Sequence, residues 1–291
     1  MGEDVKDIKA IDVMNYLFTP RAVGMVLATE KDNVAPPPPR RAGRPSRRRS
    51  CTAAEAVAEM DEAGYEKICI SAFKMWSHTR KELWRDYSNE EVYEQVQLYP
   101  DRFVGLAGYN PYRIRESLIN VERGVKELGF KGVYVHALGF DVAPNDRRMY
   151  PLYAKCVELD VPVIMQIGHS LELMPSECGR PIYIDQPALD FMDLKFVASH
   201  TGWPWREELI AMAFKHPNVY ADTSAWDPRH WDASWVNFVN TYGNDKVLYG
   251  TNAAPGGAGL KRFKESFLAL NLSEETYLKV FRENAIRVFK L

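Results

Sequence analysis

The stretch Val197-Ala-Ser-His200-Thr-Gly-Trp-Pro-Trp205 decides how this chain is read. An apolar run ends on a histidine, a Thr-Gly turn follows, and Pro204 is placed to open the next helix. Parallel strands hand polar side chains to the mouth of an α/β barrel in this way. Upstream, Val161-Pro-Val-Ile-Met-Gln-Ile-Gly-His169 repeats the device. Two strand-end histidines are compatible with a metal site, an acid/base pair or two polar caps.

Working outward, further apolar runs read as strands: Ile8 to Met14, Lys67 to Ser71, Arg102 to Tyr109, Lys131 to His136, Asn218 to Ser224 and Lys246 to Thr251. Helical patterns separate them. Thr52 with Glu55 forms a capping box for a helix stopped by Gly64, Asn89 caps a helix running to Tyr99, and residues 113–128 form another. Helices follow over 145–159 with Pro151 near the start, briefly around 188–191, from Trp205 to Lys215, from Trp231 to Tyr242, and from Lys261 and Ser273. A short helix is also expected near Pro20. Eight strands alternating with helices predict an α/β chain of the (β/α)8 TIM-barrel class, one domain over 1–291. An open doubly wound sheet would want a glycine-rich phosphate turn after the first strand, and Met14-Asn15-Tyr16-Leu17 has none. The residues placed at the mouth are Met14, Tyr16, Ser71, Tyr109, His136, His169, His200, Asp222, Ser224, Thr251 and Asn252.

Composition narrows the partners. The chain has 291 residues, 46% hydrophobic and 26% charged, with a net charge of −2, so nothing global points to nucleic acid or an anionic membrane. No apolar run approaches the roughly 20 residues of a membrane span, and the acidic N-terminus lacks a signal-like segment. Cys51, Cys69, Cys156 and Cys178 have no zinc or redox spacing, so a reduced, cytoplasmic protein is expected. Residues at about 31–50 break the pattern: Pro36 to Pro39 precede Arg40, Arg41, Arg44, Arg47, Arg48 and Arg49. That composition reads as a mobile insertion, with an anion-binding arm or a lid as the sharper alternative.

Gln166-Ile-Gly-His169, Ser199-His-Thr-Gly-Trp-Pro-Trp205, Val219-Tyr-Ala-Asp-Thr-Ser224, Lys246-Val-Leu-Tyr-Gly-Thr-Asn252 and the closing Glu283-Asn-Ala-Ile-Arg-Val-Phe289 together resemble the amidohydrolase-related family. This branch of the amidohydrolase superfamily includes aminocarboxymuconate-semialdehyde decarboxylase-like enzymes. The resemblance implies a homodimer acting on a small carboxylate, lactone or aromatic acid by hydrolysis or decarboxylation. It also implies a divalent metal, zinc or manganese, held by a strand-one His-x-His, a strand-five histidine and a strand-eight aspartate. His169 matches the strand-five ligand and His200 the strand-six acid/base. Met14 and Tyr16 stand at the His-x-His positions, however, and Asn252 at the aspartate, which leaves the family metal site altered. Thioether, phenol and carboxamide are poor donors for such ions.

Two repairs are open. His136, His169 and His200 would make a three-histidine zinc set. Alternatively the chemistry is metal-free, with Tyr16 as proton donor, His200 or His169 as base and Asp222 orienting a histidine. On the substrate side, Arg180 is read as a carboxylate partner or a salt-bridge residue, and Asn252, Trp226 and His136 as contacts. His78, His216 and His230 read as surface residues. The rival to an enzyme is a non-catalytic barrel that binds a ligand or partner after losing its metal.

Overall fold

Short buried runs of β-branched and apolar residues pair in parallel. A computed structural model describes residues 5–33, 49–257 and 259–291, so most of the Pro/Arg-rich insertion lies outside the described residues. The barrel strands are β1 (Ala10–Tyr16), β2 (Tyr65–Ser71), β5 (Phe103–Gly108), β6 (Val133–Val135), β7 (Val163–Gln166), β8 (Phe196–Ser199), β9 (Val219–Asp222) and β10 (Val247–Leu248). They form one eight-stranded sheet ordered β1-β2-β5-β6-β7-β8-β9-β10. Near-complete burial explains why they read as continuous apolar runs rather than alternating ones.

The barrel closes between its first and last strands. Val13 N–H donates to Tyr249 O (2.9 Å) and Asn252 N–H to Met14 O (2.9 Å). The buried carboxylate of Asp12 adds three bonds across or along this seam. It accepts from Met14 N–H (3.1 Å), Thr251 N–H (3.0 Å) and the Thr251 hydroxyl (2.5 Å). Asn15 Oδ1 takes Ala254 N–H (2.8 Å). A register shift between Asp12 and Asn15 marks a bulge that re-aims the end of β1.

The helices follow from their caps. Thr52 and Glu55 form the expected box for Ala53–Ala63, and Gly64 ends it in the left-handed region. Ser88, rather than Asn89, caps Asn89–Leu98, because Glu91 sits three residues on and completes a second box. Pro20 begins a helix, Pro20–Asn33, and Pro151 lies in the first turn of Tyr150–Leu159. Pro204 does not open a helix as expected. It follows a cis peptide bond from Trp203, and the helix begins at Arg206.

One element went unread in the sequence. β3 (Lys74–Ser77) and β4 (Glu82–Asp86) form an antiparallel hairpin after β2, on the side of the barrel where loops follow strands.

Asp12 has no cationic partner in its hydrogen-bond shell among the described residues, and burial raises its pKa from 3.8 to about 7 despite the donors on it. A raised carboxyl pKa stabilises the fold fully below the unfolded value. That stability is lost as pH rises from about 4 through 7. Asp12→Asn should therefore gain thermal stability relative to the parent as pH climbs from 4 to 7 and hold that gain above it. Unfolding midpoints across this range test the assignment, and a pH-independent difference would rule it out.

Candidate active site

His200 follows β8 directly in a left-handed conformation (φ 73°), which costs a non-glycine residue on the order of 1 kcal/mol. Asp222, at the end of β9, holds it there. Its Oδ1 accepts His200 N–H (3.1 Å), Ser224 N–H (2.9 Å) and the Ser224 hydroxyl (2.5 Å), while Oδ2 accepts the Ser199 hydroxyl (2.6 Å). Ser224 Oγ in turn lies 2.6 Å from His200 Nδ1. Because the serine proton is given to the carboxylate, Nδ1 must carry a proton, and the lone pair is left on Nε2. Burial lowers the His200 pKa below 6.5, against the opposing pull of Asp222 and Glu172. The result is an oriented neutral imidazole with a basic Nε2. The expected link from Asp222 to a histidine is thus made through Ser224, a residue placed at the mouth by its sequence position but given no role.

Facing this unit is an aromatic wall. The Tyr16 hydroxyl meets the Tyr134 hydroxyl (3.1 Å), and Tyr134 reaches Gln166 Oε1 (3.4 Å). Phe73 packs on Tyr16, Tyr134 and His136, with ring centroids 4.6, 5.7 and 5.2 Å away. His136 accepts Gly139 N–H on Nδ1 (3.0 Å), so its Nε2 carries the proton. A Cβ at Gly139 would fall 2.8 Å from that Nδ1, which makes glycine the residue that admits this bond. Burial pushes the His136 pKa down to about 3, with Arg85 and His200 adding to the shift. The ring is a neutral hydrogen-bond donor.

Two charged residues at the mouth escaped the sequence reading. Arg85, on β4, is 2% exposed, and its guanidinium lies over the rings of Trp84 (4.4 Å) and Phe73 (5.5 Å). Glu172, in the loop after β7, reaches Arg85 Nη2 at 3.6 Å and takes the Ser170 hydroxyl. Burial raises the Glu172 pKa, but Arg85, His136 and Ser170 outweigh it and hold the carboxyl below its ordinary value. The position of Glu172, three residues beyond His169, was the available signal. Arg85 had none, because its hairpin was unread.

The remaining expected residues divide. His169 is half-buried, with Nδ1 3.0 Å from Ser176 Oγ and its ring edge-on to Trp203 (5.5 Å). Trp203 continues to Trp226 at 4.4 Å, so His169 and Trp226 share one aromatic flank. Asn252 lines a cavity of about 170 Å³ with Tyr16 and Arg85, and its Oδ1 is buried without a partner among the described residues. Arg180 is not brought to this group: its guanidinium is engaged by Glu208 (Nε to Oε1 3.2 Å) and Glu177 (3.4 Å). That is the salt-bridge alternative of the two readings. Two histidines read as surface residues are placed otherwise. His78 lines an open cleft with His169 and Glu172, and His216 is buried against Asp185 (2.7 Å).

The donors do not fit a divalent metal. Among the described residues no three His, Cys, Asp or Glu side chains converge as a ligand set. The three-histidine repair is not assembled: the rings are not brought together as a ligand set among the described residues, and Gly139 N–H on Nδ1 of His136 leaves the proton on the Nε2 that would have to ligate.

Comparison with known proteins agrees with this geometry at the level of fold and family. The chain is 26% identical over 251 residues, 71% of each sequence, to 2-keto-4-carboxy-3-hexenedioate hydratase from a Sphingobium species (strain SYK-6). An uncharacterised TIM-barrel protein from Bordetella bronchiseptica superposes with a TM-score of 0.75 at 25% identity, covering 97% of this chain and 99% of that one. 5-Carboxyvanillate decarboxylase from Novosphingobium aromaticivorans, crystallised with manganese and 3-methoxy-4-hydroxy-5-nitrobenzoic acid, gives 0.71 at 19% identity over 100% and 99%. The sequence pattern of the amidohydrolase family matches residues 37–291, and the chain belongs to that family.

Proposed function

We propose that this barrel is an acid/base lyase that hydrates, or dehydrates, a small conjugated carboxylic acid. His200 is the base, Ser224 and Asp222 fix its tautomer, and Tyr16, which lines the cavity, is the proton donor. The observation that carries the reading is the bond between Ser224 Oγ and His200 Nδ1, which leaves Nε2 as the acceptor.

The chemistry separates hydration from its neighbours. Adding water to a carbon–carbon double bond needs a base to take the water proton as the C–O bond forms. It also needs an acid to give a proton to the other carbon. Decarboxylation needs only the second, as CO2 leaves and carbon is protonated. A histidine that burial keeps neutral near pH 7 suits the first demand better than the second. Its substrate class follows the hydratase relative and the carboxylated substrates of the decarboxylases. In this reading His136 Nε2–H holds a developing oxyanion, and the His169–Trp203–Trp226 flank closes one side of the site. The three substitutions at ligand positions also motivate a second reading, a barrel that binds without turnover. The ordered Asp222–Ser224–His200 unit weighs against it, since nothing in binding alone requires a strained histidine. The four free thiols suit a reducing compartment.

Small conjugated mono-, di- and tricarboxylic acids, followed by loss of their ultraviolet absorbance, form the test panel. His200→Gln should lower kcat by about 10²–10⁴, the usual worth of a positioned acid or base. Release of CO2 without hydration would refute the assignment, and a panel without turnover would favour the non-catalytic barrel.

The pH profile carries a second expectation. The required form of His200 is unprotonated and its pKa is lowered, so kcat/KM should rise through an acid limb below pH 6.5 and then stay flat. Ser224→Ala should depress kcat less than His200→Gln and displace this limb. An unmoved limb would remove Ser224 from the relay.

A further inference from the structure

Arg85 is not used by the chemistry above, and of the cavity beside it only Tyr16 is. The cavity measures about 170 Å³, and its lining includes Tyr16, Asn252 and three guanidinium-bearing residues, Arg49, Arg85 and Arg262, with no Asp or Glu among the described residues. A cavity of about 150 Å³ holds one benzene ring, so this space fits one molecule of that size, not a drug-sized ligand. Its charge is one-sided. Two buried polar atoms there also lack partners among the described residues, the Arg85 Nε donor and the Asn252 Oδ1 acceptor.

We propose that Arg85 anchors a substrate carboxylate and is the fixed cation of this mouth, where the resemblance places a divalent metal. The pocket then selects small polycarboxylates. One carboxylate lies at Arg85 beside Tyr16 and Asn252, and a second faces Arg49 and Arg262.

Arg85 is built for this. Its guanidinium is held by Trp84 and Phe73 on its faces, and Glu172 meets its Nη2 side at 3.6 Å. The Nε edge is left to a further acceptor, and a planar fork matches a carboxylate bidentately. Packing fixes the side chain beforehand, so little rotamer entropy remains to be lost on binding. Asn252 completes the match. Its left-handed backbone (φ 56°) and its N–H bond to Met14 O hold it at the barrel seam, and its orphan Oδ1 accepts the O–H of water or of a hydroxy acid. Among the described residues of its lining, a divalent ion in the same space would meet three like charges and no carboxylate.

The inference rests on the mouth being the site of the proposed hydration, but it is tested by binding, without turnover. EDTA-treated protein is titrated with trans-aconitate, a small unsaturated tricarboxylate, with crotonate, its monocarboxylate counterpart, and with manganese alone, all read by calorimetry. Trans-aconitate should bind at least about tenfold more tightly than crotonate, with affinity falling as salt rises. Arg85→Gln should weaken trans-aconitate about tenfold to a hundredfold, the worth of a charged hydrogen bond, while circular dichroism stays unchanged. His200→Gln should leave the binding in place, which separates this inference from the catalytic one. Should Arg85→Gln fail to fold, the exposed Arg49→Ser and Arg262→Ser provide the readout, each eroding the preference for trans-aconitate over crotonate. The proposal is overturned by trans-aconitate binding that requires manganese, by equal affinity for the two acids, or by folded Arg85→Gln binding as the parent does.

Discussion

Everything at the mouth depends on how the first strand meets the last. Closing a parallel sheet requires its two edge strands to exchange hydrogen bonds, and β10 offers only two residues of regular strand to do so. The chain compensates with side chains. Asp12 takes both the backbone and hydroxyl donors of Thr251, and Asn15 takes Ala254 N–H, so the seam extends past the end of the ladder. Asn252 N–H bonded to Met14 O places Asn252 against the end of β1, where Tyr16 begins the aromatic wall. The seam is therefore also a wall of the cavity. Asp12 bears an unfavourable burial for this, one that three neutral donors soften without cancelling.

Asp222 solves a related problem one strand away. It too is fully buried and collects neutral donors rather than a cation, but two of its four bonds restrain His200, the residue proposed as base. A left-handed histidine would relax if its N–H were unheld. Tying that N–H to the same carboxylate oxygen that accepts Ser224 couples the backbone of His200 to its imidazole. Backbone strain and tautomer are thus fixed by one group.

The sequence made the barrel legible because each barrel strand is an apolar run bounded by caps or turns, and parallel strands bury both faces. His169, His200 and Asp222 were legible as strand ends. The serine relay was not, since the strand ends at Asp222 and no periodicity aims Ser224, two residues beyond it, at the neighbouring strand end; only the turn at Ala225 (φ 68°) and the bond to His200 show it. Arg85 and Glu172 were hidden for a different reason. Both lie in segments between barrel elements, Glu82–Asp86 and the loop from Gly168, where no hydrophobic period fixes direction. Gly168 shows how tightly that loop is nevertheless set. At φ 89°, a Cβ there would fall 2.6 Å from Trp203 O, the same carbonyl that accepts His169 N–H. Arg180 stayed open in the sequence because a guanidinium after a barrel strand looks like a ligand contact until its partners, Glu177 and Glu208, are seen.

The electrostatics of the mouth give these pieces a direction. Burial keeps His136 and His200 neutral, and Glu172 is the negative charge that both of them sense, itself paired to Arg85. A metal site works the other way, with anionic ligands holding a cation that acidifies water. Here the fixed charge is a guanidinium that cannot be deprotonated and does not ligate water. An anionic substrate entering such a site adds negative charge beside a neutral imidazole and raises its proton affinity. His200 would then become a stronger base on binding, when a proton has to be taken, while the empty site keeps it uncharged. In the proposed reading, an arginine anchor and a desolvated histidine divide between them the two tasks of holding the carboxylate and activating water.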